Sequence, residues 1–382
     1  MNTDNLSALG VGIGVIALIV GFGIYFNSPS LNTAASGQQG NFIPSEIAQE
    51  NGTVTKVQID KSQFKKAPEL TRISGYINTE PLTLADLKGK VVLVDFWTYS
   101  CINCIRTIPY LNAWHEKYAD SGLVIVGVHA PEFEFEKDYN NVKAAVEKFE
   151  IQYPVAQDND KGTWSAYENR YWPRKYLVDN EGYIRYDHIG EGAYAETEKV
   201  IQSLLAERAA AAGETVSIDD TVSKPDSAQS VDFTKIRTPE LYFGYDFARA
   251  KLGNAQGFEP GKVVNYVFPE GAVLTPNTIY LSGQWKNNPD HMELQGETGR
   301  IVLTYNAKSV NIVAGGKGEL HISEDGPQLT GDSRGADVSE TGQVDVDGQR
   351  LYNLTMHEDY GTHRIIINAI GPGFEIYTFT FG

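Results

Sequence analysis

Cysteine is nearly absent from this chain: 382 residues contain two, Cys101 and Cys104. A zinc site built on two cysteine pairs is therefore excluded. The seven histidines are scattered without metal-type spacing, so the sequence implies no metal and no cofactor. Basic charge is also scarce. The 32 Lys and Arg face 49 Asp and Glu, for a formal net charge of −17. Such a surface repels phosphate backbones, which argues against a nucleic-acid partner. No internal repeat occurs at solenoid or propeller spacing. No Lys or Arg precedes Lys56, so the positive-inside rule assigns no orientation to the N-terminal segment.

That segment is an uncharged apolar run, ALGVGIGVIALIVGFGIYF, over residues 8–26. It is long enough to cross a hydrocarbon core as a single transmembrane helix. A cleaved signal peptide is the rival reading, but the N-terminus lacks the basic residues and shorter apolar stretch of one. Residues 27–65 are polar and read as a tether. Over residues 66–208, apolar strand-like runs such as KVVLVDFW and GLVIVGVHA alternate with helical patterns, which predicts an α/β domain. Residues 209–230 lose apolar periodicity and read as a linker. Residues 231–382 carry short alternating runs punctuated by turn pairs such as Asp325-Gly326 and Asp347-Gly348. They predict an all-β sandwich, jelly-roll-like, as the second domain.

The two cysteines form a C-x-x-C unit between a predicted buried strand and a predicted helix. A structural disulfide there would close a very short loop and gain little chain entropy. A redox dithiol needs this placement: helix-terminal N–H groups stabilise a thiolate at Cys101, and Cys104 sits one turn further in, able to attack a mixed disulfide. Trp97 and Trp172 read as walls of the site or as packing groups. Arg106 reads as a solvated surface residue and His129 as a structural or solvent-facing one. The acidic stretch EFEFEKD, residues 132–138, reads as a solvated loop.

VDFWTYSCINC resembles the active-site strand of the thioredoxin superfamily, with Pro109 at the position of its helix-kinking proline. RYWPRKYLVDNEG resembles the stretch that carries its cis-proline. WTYSCINC followed by HAPEFEFEKD and YWPRKYLVD is similar to the TlpA-like, DipZ-type branch, and the tail opening TPELYFGYDFARA resembles the carbohydrate-binding-like module of that branch. The resemblance implies a thioredoxin-like thiol–disulfide oxidoreductase with Cys101 and Cys104 as the catalytic pair. It implies Asp95 as the buried acid that relays a proton for the second thiol, and Pro173 as a cis-proline beside Trp172 at the substrate. DipZ-type proteins carry an electron-relaying membrane domain, whereas one span is read here. The expected partners are therefore disulfide-containing envelope proteins and a membrane electron donor or thiol oxidase. The expected location is the cell envelope, with the catalytic domain extracytoplasmic. The tail's resemblance implies a cell-wall glycan ligand, with Trp285 as the stacking ring and Tyr242 and Tyr245 as further aromatics. A thiol peroxidase of the same fold, and a surface glycan- or protein-binding protein with a secondary redox centre, stand as alternatives.

Overall fold

Seven consecutive buried residues, Val91–Trp97, form the strand β4 on which the first domain is built. The computed structural model describes residues 49–50, 53–54 and 60–382, except 216, 272 and 330. The anchor expected over residues 8–26 lies outside them, as does most of the tether. Among the described residues no helix is long and apolar enough to cross a membrane. A two-residue hairpin, β1 (Gln49–Glu50) with β2 (Thr53–Val54), comes first.

The first domain is a six-stranded mixed sheet in the order β3-β6-β5-β4-β7-β8. Its strands are β3 (Gly75–Ile77), β4, β5 (Leu123–His129), β6 (Val155–Gln157), β7 (Arg174–Val178) and β8 (Ile184–Ile189). Its helices are α1 (Ile102–Tyr118), α2 (Tyr139–Lys148), α3 (Gly162–Ala166) and α4 (Tyr194–Ala212). β4 lies between a parallel neighbour, β5, and an antiparallel one, β7. Covered on both faces, it reads as a continuous apolar run. Strand alternation sends Val92, Val94 and Phe96 into one core, and Val91, Leu93 and Trp97 into the other, with Cys104, Ile108 and Leu111 of α1. Asp95, odd-numbered, belongs to the α1 face. The segment read as a linker is docked at its centre: Ser223 donates to Glu198 at 2.7 and 2.8 Å, and Lys117 donates to the Thr221 carbonyl at 2.7 Å.

The second domain contains β9 (Leu241–Tyr242), β10 (Val263–Tyr266), β11 (Tyr280–Asn287), β12 (Met292–Gly316), β13 (Gly318–Glu324), β14 (Gln343–Val346), β15 (Arg350–Ile370) and β16 (Phe374–Phe381). They make one hydrogen-bonded antiparallel sheet. RIVLTYNA and SVNIVAGG, separate runs in the sequence, belong to the single long strand β12, which continues through irregular pairing near Ala307–Ser309. The sheet folds back on itself: Ile376 of β16 pairs with both Met292 and Ala314, near the two ends of β12. Trp285 is fully buried inside this fold. Its indole N–H donates to the Ser282 carbonyl at 2.9 Å, and Gly299 leaves room for the ring, since a Cβ there would lie 2.5 Å from it. No face of Trp285 is open to a sugar, so the glycan-stacking role expected for it does not hold. Tyr242 is buried as well.

The acidic stretch after β5 is not a solvated loop. Phe133, Phe135 and Glu136 are buried. Phe133 packs on Tyr377 at 5.1 Å and on Phe247 at 5.6 Å, and Phe135 meets Tyr377 edge-on at 4.8 Å. The alternation EFEFE, which suggests exposure by its charge, places both rings against the second domain. Because these rings join two domains, Phe133→Ala is expected to cost ~3–5 kcal/mol, read as a lower midpoint in chemical denaturation of the full chain. A loss below 1 kcal/mol would show that the ring bears no weight in the interface.

Candidate functional site

The dithiol sits where β4 gives way to α1. Cys101 has extended backbone angles, φ −77° and ψ 114°, and is the residue that caps α1. Its sulfur accepts the N–H of Cys104 at 3.4 Å, one of the amide donors that a helix start leaves unpaired. Cys101 is partly exposed, whereas Cys104, one turn in, is buried against Ile108 and Leu111. Burial pushes the Cys104 thiol well up, and the neighbouring Cys101 adds to the shift. The accessible sulfur and the sealed one are thus assigned by position.

Asp95 lies behind the pair, 2% exposed, with Oδ1 lacking a hydrogen-bond partner among the described residues. Burial lifts its carboxyl from 3.8 to about 7, against the opposing pull of the Lys175 charge. Lys175 is paired with Asp95 in register across β4 and β7 and is fully buried. Its ammonium donates to the Gly190 carbonyl at 3.1 Å, and burial holds its pKa down. A carboxyl group poised near neutrality can take a proton from a buried thiol and return it. The sequence reading did not single out Lys175. Its signal is the alternation in RKYLV, which puts a lysine on the same face as Leu177 in a strand that reads as wholly interior.

The Trp172–Pro173 peptide is cis. Trp172 is half-buried; its indole N–H donates to the Ala130 carbonyl at 2.9 Å, its ring packs on Trp164 at 4.2 Å, and Lys161 Nζ stands 4.8 Å above it. Trp97, expected as a second wall, is instead 1% exposed and edge-on to His129 at 5.1 Å. It supports the site from inside the core and presents nothing to a substrate. His129 is buried, with a pKa pushed down to about 3 by burial, and is therefore neutral. Arg106 is likewise not a surface group: it is buried, pairs with Glu191 at 2.5–3.2 Å and donates to Asn103 at 2.7 Å.

Glu136 ties the active-site loop to the insert. Its carboxylate accepts Ser100 Oγ at 2.6 Å, the Glu132 amide at 2.6 Å and the Phe133 amide at 2.9 Å. The second domain reaches the same loops: Tyr99 donates to the Gln349 carbonyl at 3.3 Å and Tyr242 donates to Glu132 at 2.8 Å. A crevice of about 630 Å³ opens between the domains, lined by Glu132, Lys137, Lys161, Phe247 and Asp290 among others. Lys161, on its wall, is the residue that stands over Trp172.

A partly exposed cysteine capping a helix, a buried partner one turn later and a buried acid on the preceding strand define a thioredoxin-type dithiol centre. Residues 64–187 match the AhpC/TSA family, and residues 238–382 match the family described as Thioredoxin like C-terminal domain. The chain is 34% identical over 141 residues to the thiol-disulfide oxidoreductase YkuV of Bacillus subtilis, covering 37% of this chain and 94% of that one. It is 30% identical to ResA of Bacillus cereus over 142 residues, 37% of this chain and 77% of that one. The chain belongs to the thioredoxin-like thiol–disulfide oxidoreductases. Over both domains it is similar to DipZ of Mycobacterium tuberculosis, 37% identical over 332 residues, 83% of this chain. It spans less than half of that protein, 43% of its length.

Exposure sets the order of reaction. An alkylating reagent at neutral pH should modify Cys101 in the folded dithiol and reach Cys104 only after unfolding, as mass spectrometry of the two peptides would show. Labelling of Cys104 first would reverse their roles. Asp95→Asn should slow disulfide exchange by ~100-fold and flatten the rise in rate through pH 7 that is expected of the wild type. The same group affects stability. Between about pH 4 and 7 the folded state keeps a proton that the unfolded chain releases, so stability falls as pH rises through that window. The stability of Asp95→Asn relative to the wild type should therefore increase with pH from 5 to 8 in denaturant titrations. A difference independent of pH would mean that Asp95 does not titrate there.

Proposed function

We propose that the chain is a membrane-tethered, extracytoplasmic thiol–disulfide oxidoreductase that reduces or exchanges disulfides of envelope proteins. The observation that carries this reading is the asymmetric dithiol: a partly exposed Cys101 capping the helix, with Cys104 sealed one turn in and within reach of the charge of the buried Asp95. Cys101 thiolate attacks one sulfur of a substrate disulfide, forming a mixed disulfide and releasing the other sulfur as a thiolate. Asp95 carboxylate takes the Cys104 proton. Cys104 then attacks Cys101 Sγ, which closes the Cys101–Cys104 disulfide and releases the second substrate thiolate. One substrate disulfide gains two electrons and the protein dithiol loses two; the proton on Asp95 passes to the solvent or to a departing thiolate. A membrane electron donor then reduces the protein disulfide, or a thiol oxidase partner runs the cycle backwards, according to the relative reduction potentials.

The absence of any third cysteine fits work in an oxidising compartment, where a stray thiol would mispair. The apolar run at residues 8–26 supplies the membrane anchor on this reading. The crevice beside Trp172 is the place for the polypeptide around the target disulfide, and the second domain contributes its far wall. The peroxidase alternative is disfavoured because the two sulfurs share one helical turn and are committed to each other.

Trapping tests the proposal. A full-length Cys104→Ser variant expressed in cells should accumulate mixed disulfides through Cys101 with envelope proteins, released by reductant and lost in the Cys101→Ser/Cys104→Ser double variant. Adducts confined to cytoplasmic proteins, or none with a well-expressed variant, would overturn the placement and the substrate class respectively.

A further inference from the structure

The second domain holds a cluster of donors that the dithiol chemistry does not use. One ligand atom each from Glu324, His357 and His363 lies within 4.8 Å of the other two. We propose that these three residues bind a divalent transition-metal ion of the zinc class. The site is on elements other than those carrying the dithiol.

The local pairing explains how the cluster forms. On a regular strand, His357 and His363 would stand about 20 Å apart. In β15 the register runs His363 to Tyr305, Thr362 to Asn306 and Gly361 to Ala307, then jumps to Met356 opposite Ser309. Residues 357–360 bulge out opposite Lys308. The bulge folds His357 onto His363, so that the two imidazoles lie 4.2 Å apart and 4° from parallel. Glu324, the last residue of β13, brings a buried carboxylate to the same place, with Oε2 at 3.0 Å from His357 Nε2.

The surroundings are those of metal ligands. Asp325 Oδ2 lies 2.8 Å from His363 Nδ1. A carboxylate can only accept, so Nδ1 carries the proton of that bond, and Nε2 is the nitrogen left for a metal. Asp325 is held in turn by the Arg364 amide at 2.8 Å. Tyr305 donates to Glu324 Oε1 at 2.5 Å, which fixes that carboxylate and leaves Oε2 facing His357. Outer partners that orient a ligating histidine and a ligating carboxylate are the usual second layer of a metal site. Two imidazole nitrogens and one carboxylate oxygen suit a borderline divalent cation and leave a coordination position open. Donors around a tetrahedral zinc lie ~3.3 Å apart, so the site is completed when the two imidazoles rotate out of their parallel stack, bringing their ring planes to converge on the ion, and the cluster closes by about 1 Å. A bound ion would pin the end of β13 to the bulge of β15, where the long strands change register.

Zinc chloride titrated calorimetrically into the full-length Cys101→Ser/Cys104→Ser chain, which removes the dithiol as a competing site, is expected to show one equivalent bound. His357→Gln and His363→Gln should each weaken that affinity by at least ~100-fold, and Asp325→Asn by ~10–100-fold, because it only orients His363. Circular dichroism of each metal-free variant checks that it is folded. Cobalt(II) added to the same chain gives an independent reading: visible bands of a low-coordinate nitrogen–oxygen site, absent from a Glu324→Gln variant that can still accept the Tyr305 hydrogen bond. A full equivalent retained in the folded His357→Gln/His363→Gln chain, or no stoichiometric binding by the parent chain, overturns the proposal.

Discussion

A carboxyl group held in the dry interior opposite a buried ammonium is the constraint around which the first domain is arranged. Asp95 and Lys175 are partners in the register of β4 and β7, and both are buried. The consequence is chemical. A fully solvated aspartate would be ionised at every physiological pH and too weak a base for a thiol; burial brings this one to about 7. Lys175 opposes that rise and keeps the charged form within reach. The strand that buries Asp95 also delivers Cys101 to the surface a few residues later, so a sheet interior and a solvent-facing nucleophile are joined by a short loop.

That loop is braced from outside the first domain's own sheet. Glu136 collects Ser100 and the amides of the insert, while Phe133 and Phe135 carry the insert into the second domain. Tyr99, two residues before Cys101, reaches the Gln349 carbonyl. The second domain is therefore part of the surroundings of the dithiol and forms one wall of the crevice beside Trp172, rather than hanging free on a linker. This packing of the two domains accords with the similarity to DipZ extending across both of them.

Much of the first domain could be read directly from the chain. KVVLVDFW, uninterrupted and apolar, announces a central strand. The C-x-x-C that follows it at a helix start announces redox chemistry, whereas Asp95 was reached through the resemblance of VDFW to the thioredoxin active-site strand, and the folded strand's alternation places it on the helix side. The β-rich texture of residues 231–382 was equally plain, although the long strands β12 and β15 were not, because irregular pairing breaks the local pattern within a single strand. The misread residues share one cause. Trp97, Trp285 and Arg106 carry side chains that can face either way, and Phe133 and Phe135 sit among acids that suggest solvent. Composition says what such a group can do and leaves open what it packs against.

The amino-acid sequence by itself determined the local chemistry: which two atoms are the thiols, which strand precedes them, and which helix start receives the first. These follow from neighbours a few residues apart, where periodicity and capping act. Only the tertiary structure decided the contacts between distant segments. Lys175 meets Asp95, Tyr242 meets Glu132, Gln349 meets Tyr99, and His357 meets His363 through a bulge. Each depends on strand register, domain packing or a break in pairing. These are set by the summed burial of many side chains, and a linear reading carries no signal for them.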